Sequence, residues 1–384
     1  LHRWRTPLTQ EVINLQSTFN NPELPSGKIP AQEWFIGIDR ALPETGAAAA
    51  RPLISGGPPM NANQQLWPLA HEVLRALGQQ YYPIMEARAH EAGIGQCDWY
   101  LLLPALTHDP EPISTTKLLK RVPYYAPHVY ENRLENLSEL GYLKASSPAE
   151  DVDDYPRFNY NLTESGRMTV QWIIQAADVA MLNLHPASLE DLEVLAGLLR
   201  MIVMAAVDAP IPPEKYALLF SRKTDHASVA PVVVRIDQYL TDLNAYRDDC
   251  HLCAWQEHHE TQMVAPPAWE VLTQLWKVDR AKDGGGYTLD QLVNMLERRG
   301  HPRSAYASAL KELGKLGWAQ SQVHTYTITE PGRQAREMAE MRTDQYFYRP
   351  WNALSARELS DLKDLLVEVW DGLKIRINNG HLVS

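Results

Sequence analysis

The sequence predicts a mainly α-helical chain with small β-hairpins, arranged as two tandem copies of one unit. Three observations predict this. Five segments recur in the same order, two strand-to-helix corners are nearly identical, and the composition supports more than one core. The first copy runs through DWYLLLPAL (98–106), STTKLLKRV (114–122), LENLSELGYL (134–143), NYNLTESGR (159–167) and SLEDLEVLAGLL (188–199). The second runs through AWEVLTQLW (268–276), TLDQLVNML (288–296), LKELGKLGWA (310–319), TYTITEPGR (325–333) and SARELSDLKDLL (355–366). Repetition in fixed order is the mark of internal duplication. Trp99 and Trp269 lie 170 positions apart, Gly141 and Gly317 lie 176 apart, and Gly166 and Gly332 lie 166 apart. The length change therefore falls between the glycines, where a surface hairpin tolerates it. The chain has 384 residues, 45% hydrophobic and 22% charged, enough for two or three cores.

Each copy reads as helix, short helix, turn, longer helix, hairpin and long helix. Ser114 and Thr288 are placed to cap the second helix, because a hydroxyl accepts from an otherwise unpaired first-turn amide. A turn follows at Pro123 or at Gly300-His301-Pro302, and then a helix with Leu134, Leu137 and Leu140, or Leu310, Leu313 and Leu316, on one face. Gly141 and Gly317 are expected to end these helices in the left-handed conformation. Short strands at 142–143 and 158–162, and at 318–319 and 325–328, form the hairpins. Thr163 and Thr329 then cap a new helix, with Glu164 and Glu330 at the positive end of its dipole and Pro331 at an early position. A helix-turn-helix followed by a two-stranded hairpin is a winged helix.

LENLSELGYL followed by DDYPRFNYNLTESGR (153–167) resembles the MarR family of winged-helix transcription regulators, whose pattern is a leucine-rich recognition helix, LG, a wing with Asp and Arg, then LTxxG. The resemblance covers roughly 64–205 and again 230–372, more closely in the first copy. It implies flanking helices that pair two subunits. The helices opening at Ser188 and Ser355, each with an S-x-x-[DE] box, resemble those dimerising helices. Resemblance and repeat together imply an intrachain pseudo-dimer, open to further self-association. The expected organisation is an extended or disordered arm over 1–62, a first unit over 63–210, a linker over 211–229 and a second unit over 230–384.

The resemblance implies double-stranded DNA as the partner. The candidate DNA-binding residues are Lys117, Lys120, Arg121, Tyr125, His128, Asn132, Arg133 and the wing residue Arg157 in the first copy. In the second they are Arg299, Arg303, Ser304, Tyr306 and Lys311. Arg reads guanine and Asn reads adenine, whereas Lys and Ser hold phosphate. Tyr124, Tyr130 and Ser308 are expected on the same exposed faces. Net charge is -11, so phosphate contact must be local. Two islands supply it: 114–133 carries Lys117, Lys120, Arg121 and Arg133 against Glu131, and 287–311 carries Arg298, Arg299, Arg303 and Lys311 against Asp290 and Glu297. The acidic first wing (Glu150, Asp151, Asp153, Asp154) and a second wing without arginine argue the other way. The alternative is a winged-helix protein-interaction module whose basic residues are ordinary solvated charges. DNA reading would place helices 124–140 and 303–316 in successive major grooves, about 34 Å apart. The resemblance also implies room for a small aromatic effector between the dimer helices and the winged heads, with core packing as the blander role for most of the rings there (Trp67, Tyr81, Tyr82, Trp99, Trp255, Trp269).

Other chemistry finds little support. RDDCHLCAWQEHH (247–259) places Cys250, Cys253 and Glu257 on one helical face, but lacks the second ligand pair of a zinc ribbon. Buried structural cysteines are the blander explanation. No P-loop, GxGxxG or GxSxG occurs, and each His-Glu pair lacks the second His of HExxH. No enzyme activity, metal or cofactor is expected. LPETG (42–46) lacks the hydrophobic segment and basic tail of a sorting signal. Three cysteines, no leader pattern and no long apolar run point to the cytoplasm, away from membranes.

Overall fold

The structure, a computed structural model, describes residues 65–95, 98–148, 158–222, 230–262, 264–281 and 285–380. Expectations about the arm (1–62), the acidic tip of the first wing with Arg157, and Cys97 fall outside the described residues.

The described chain is mainly helical with two small antiparallel sheets. It opens with α1 (Leu66–Glu91), a short 3-10 turn (Trp99–Leu101), α2 (Leu102–His108), α3 (Thr115–Arg121) and α4 (Pro127–Glu139). The hairpin β1 (Leu143–Pro148) and β2 (Phe158–Leu162) leads into α5 (Glu164–Leu182), α6 (Leu189–Asp208) and α7 (Tyr216–Arg222). The second half has α8 (Val232–Gln262), α9 (Pro266–Asp279), β3 (Tyr287–Thr288), α10 (Leu289–Met295) and α11 (Arg303–Lys315). It closes with β4 (Ala319–Gln322), β5 (Thr325–Ile328), α12 (Glu330–Phe347) and α13 (Ala356–Gly380).

The caps sit where the sequence puts them. Ser114 accepts from Lys117 N at 3.3 Å, and Thr288 from Gln291 N at 3.2 Å, with Gln291 completing a capping box. Ser188 accepts from Asp191 N at 3.1 Å and Ser355 from Glu358 N at 3.3 Å. The corners before α5 and α12 repeat one set of bonds. Gly141 and Gly317 end α4 and α11 with φ of 81° and 70°. Thr163 Oγ1 accepts from Gly166 N at 2.9 Å and donates to Gly141 O at 2.8 Å; Thr329 Oγ1 accepts from Gly332 N at 3.3 Å and donates to Gly317 O. The arginine one position later grips the end of the head's first helical segment. Arg167 pairs with Asp109 and Glu164, while Arg333 holds Asp279 at 2.9 and 3.1 Å and pairs with Glu330.

Sheet content exceeds the expected pair of two-stranded hairpins. β3 adds to β5, so the second sheet runs β3-β5-β4. In the first half a single bridge, Ile113 to Tyr160, occupies the matching place. The strand was hidden because its signal is tertiary: a Cβ on Gly286 would lie 2.2 Å from Tyr326 O, so only glycine lets the chain approach β5. β4 and β5 turn through Val323 and His324, with φ of 46° and 68°. Two left-handed positions make this a type I′ corner, which favours Asn-Gly and strains a β-branched residue. Val323→Asn with His324→Gly is expected to stabilise the protein by about 1 kcal/mol in thermal or urea unfolding, with an unchanged fold.

A helical core occupies the centre. α1 packs on α5, α8 and α13; α8 packs on α12, α6 and α7; α6 also packs on α13. Leu74, Leu77, Leu199, Ile202, Leu240, Leu243, Leu366 and Leu373 are buried there. The stretch expected as a linker contains α7. Its first-turn amides are held by Asp249 of α8, whose carboxylate accepts from Ala217 N at 2.8 Å and Leu218 N at 2.9 Å. The sequence suggested no such cap, because its partner lies 32 residues downstream.

Candidate nucleic-acid interface

The outer face of α11 presents Arg303, Ser304, Ser308, Lys311 and Lys315 to solvent. Ser304, Ser308, Lys311 and Lys315, three or four residues apart, stack along one side of the helix, with Arg303 next to Ser304 at its start. Arg303 Nε donates to Asp290 Oδ1 at 3.0 Å, but both side chains are well exposed, so the pair yields readily to phosphate. Leu310 and Leu313 point the opposite way into the head, and α11 packs on α9 and α10.

α4 differs. Its exposed residues are His128, Asn132, Glu135 and Glu139, so the half beyond Asn132 is acidic. Arg133 turns back to Asp98, with Nε 3.6 Å from Oδ1, and Asn136 donates to the other oxygen of the same carboxylate at 2.8 Å. The basic residues of α3 lean on neighbours. Lys117 Nζ donates to Pro112 O at 2.6 Å, Lys120 stands 6.0 Å from the Tyr216 ring, and Arg121 lies 5.7 Å from the Phe220 ring.

Three expectations of exposure are corrected. Tyr124 and Tyr130 are 5% exposed and Tyr306 is fully buried, its hydroxyl donating to Leu296 O at 3.0 Å. Tyr130 and Tyr306 stand four positions before Leu134 and Leu310 and share the leucines' inward face, while Tyr124 lies in the turn before α4.

Arg299 and Tyr125 are occupied too. Arg299 Nε donates to Glu270 Oε1 at 2.6 Å, and its guanidinium lies 4.5 Å from the Tyr125 ring and 5.9 Å from the Tyr124 ring. Burial opposes the charge on Arg299, but Glu270 holds its pKa above the ordinary value. The Ala126 amide donates to Arg299 O at 2.8 Å, and His301 Nε2 lies 3.0 Å from Tyr124 O. Gly300, at φ 73°, comes so near that a Cβ there would lie 2.2 Å from Val129 Cγ2. The starts of α4 and α11 are therefore joined. Arg303 follows Arg299 by four residues, which span at most about 14 Å, so the two helix starts lie within about 20 Å. This corrects the expected separation of about 34 Å.

A helix, a turn, a second helix and a three-stranded wing thus surround one exposed basic face. Residues 219–374 match a helix-turn-helix family. The helix-turn-helix domain includes α8 to α12, with α10 and α11 as its two short helices, and most of α13. No curated protein matches the chain.

Within the helix-turn-helix domain lies a buried polar cluster that the sequence did not suggest. Arg336 of α12 is 1% exposed, stands 5.5 and 5.0 Å from the Trp269 and Trp276 rings, and pairs with Glu340 at 2.6 Å. Burial lowers its pKa to about 10. Tyr124 Oη, Arg247 Nε and Trp276 Nε1 are buried nearby without hydrogen-bond partners. In the Cys250–His259 stretch, Cys250 is buried and its thiol pKa is pushed up by that burial, while Glu257 binds Tyr346 and Arg342. Among the described residues no three His, Cys, Asp or Glu side chains gather to hold a metal ion. No described helix is long and apolar enough to cross a membrane.

Proposed function

We propose that this chain is a sequence-specific DNA-binding transcription regulator, non-catalytic, built from two MarR-like units that pair within one chain. The observation that carries it is the basic, solvent-facing side of α11 within a helix-turn-helix domain. Phosphate contacts by Lys and Arg release counterions, so such a face works in an otherwise acidic molecule. The principal reader is α11, with Arg303 at its N-terminal end, where recognition helices meet base edges, and Lys311 on phosphate. The acidic half of α4 makes the first head the weaker partner.

Helix packing supports the pairing of two units. α1 packs on α5 as α8 packs on α12, and α1 meets α13 as α8 meets α6. The contacts α1 to α8 and α6 to α13 map onto themselves when the halves are exchanged, as a two-fold axis requires. The buried donors Tyr124 Oη, Arg247 Nε and Trp276 Nε1 support control by a small acceptor-bearing aromatic ligand. A ligand there touches the turn that leads into α4.

In gel-shift titrations against random duplex DNA across a salt series, affinity is expected to fall steeply with salt. Arg303→Ala with Lys311→Ala is expected to cost about tenfold or more and to flatten the salt slope by about two. Absence of binding at the lowest salt removes the DNA reading and leaves the interaction module.

A further inference from the structure

We infer that the 299–301 turn is a latch that closes the two heads on each other, and that engaging two grooves requires its release. The inference rests on the DNA reading above and concerns how that activity is regulated. Four contacts form the latch: Ala126 N to Arg299 O, His301 to Tyr124 O, the Arg299 guanidinium over Tyr125, and Gly300 against Val129. They bring together the N-terminal ends of α4 and α11, the ends through which recognition helices reach bases. Two ends within about 20 Å cannot serve half-sites about 34 Å apart.

The contacts are suited to opening as well as closing. Each head keeps its own packing, α4 on α3 and β1, α11 on α9, α10 and β4, so separation need not unfold either. Arg299 retains Glu270 of its own head when Tyr125 departs, so the charge is never stranded. At the seam burial lowers the pKa of half-exposed His301, and the neighbouring His128 and Arg299 guanidinium lower it further. The closed state covers the start of α4 with the 299–301 turn and leaves the outer face of α11 open, which permits weak, single-headed attachment to DNA.

Two measurements test this, one without DNA. Spin labels at Glu135→Cys and Lys315→Cys, with Cys97 and Cys253 replaced by serine, report head separation. The parent is expected to give one short distance, and Tyr125→Ala with His301→Ala a distribution lengthened by about 10 Å or more. The second uses Val129→Cys with Gly300→Cys, whose facing positions can form a disulfide. The oxidised protein is expected to bind duplex DNA about tenfold more weakly than the same protein after reduction, and the Tyr125→Ala/His301→Ala protein about tenfold more tightly than wild type. Unchanged label distances in that variant overturn the latch, whatever DNA binding shows. Equal affinity before and after reduction overturns its inhibitory role. Lengthened distances without DNA binding by any form at low salt remove the DNA reading and, with it, the latch as a control of DNA binding.

Discussion

Gly332→Ala is expected to destabilise the protein by about 3 kcal/mol, seen as a lower urea midpoint. Gly332 lies in the first turn of α12, where its amide donates to the capping Thr329 hydroxyl at 3.3 Å. An added Cβ would stand 2.2 Å from Trp318 O and 3.0 Å from Ile328 Cγ1. Trp318 O is already engaged by Thr329 N at 3.0 Å, so it cannot withdraw without breaking the corner between the wing and α12. Gly314 provides the contrast. It sits within α11 with nothing inside 4 Å of the place a methyl group would take, so Gly314→Ala is expected to stabilise by about 0.5–1 kcal/mol. A Gly332→Ala protein as stable as wild type would contradict the close approach. The corresponding Gly166 faces Tyr142 O at 2.1 Å, so Gly166→Ala should behave alike.

Asp237→Asn is expected to raise stability by about 1–2 kcal/mol at pH 5 and by about 4 kcal/mol at pH 8. Asp237 lies on α8 inside the helical core, where both carboxyl oxygens accept from Tyr81 Oη of α1, at 3.2 and 3.3 Å. Burial pushes its pKa up to about 7; the Tyr81 hydrogen bond opposes the shift and neighbouring Asp178 adds to it. The native state therefore keeps a proton that the unfolded chain, with an ordinary carboxyl pKa near 3.9, has already released. Stability must then fall as pH rises from about 4 to about 7, and the loss is complete above the folded pKa. Asparagine cannot ionise but can still accept from Tyr81, so it removes the loss and keeps the bond. Asp249, likewise pushed up to about 7 by burial, contributes a slope of the same sign that persists in the variant. Urea titrations at the two pH values check this; a difference between wild type and variant that does not vary with pH would exclude Asp237 as the titrating group.

These two residues mark the limit of what sequence patterns carry. Gly332 belongs to a motif, TEPG, whose cap and helix start are legible because Thr329 and Gly332 are three positions apart. Its contact with Trp318 is not legible, because it depends on how the strand returns over the end of α11. Asp237 reads only as a polar residue in a helical pattern until α1 is laid against α8. The same holds for the candidate interface. Arg303, Ser304 and Lys311 were found from local charge and helical spacing and are exposed together. Arg299, from the same basic island, turns inward to Glu270, which lies 29 residues earlier. Tyr306 was misplaced although its spacing from Leu310 and Leu313 sets it on their inward face.

The sequence alone determined the helical class, the hairpin-to-helix corners, the six serine and threonine caps and the basic face of α11. All of these depend on residues within a few positions of one another, where bond geometry leaves little choice. Tertiary structure alone decided that β3 joins the second sheet, that Asp249 caps α7 and that the turn before α11 meets the start of α4 at Arg299 and Tyr125. Contacts such as His301 with Tyr124 join residues 177 positions apart. Nothing local distinguishes such partners from any other histidine and carbonyl; the packing of the helical core brings them within reach.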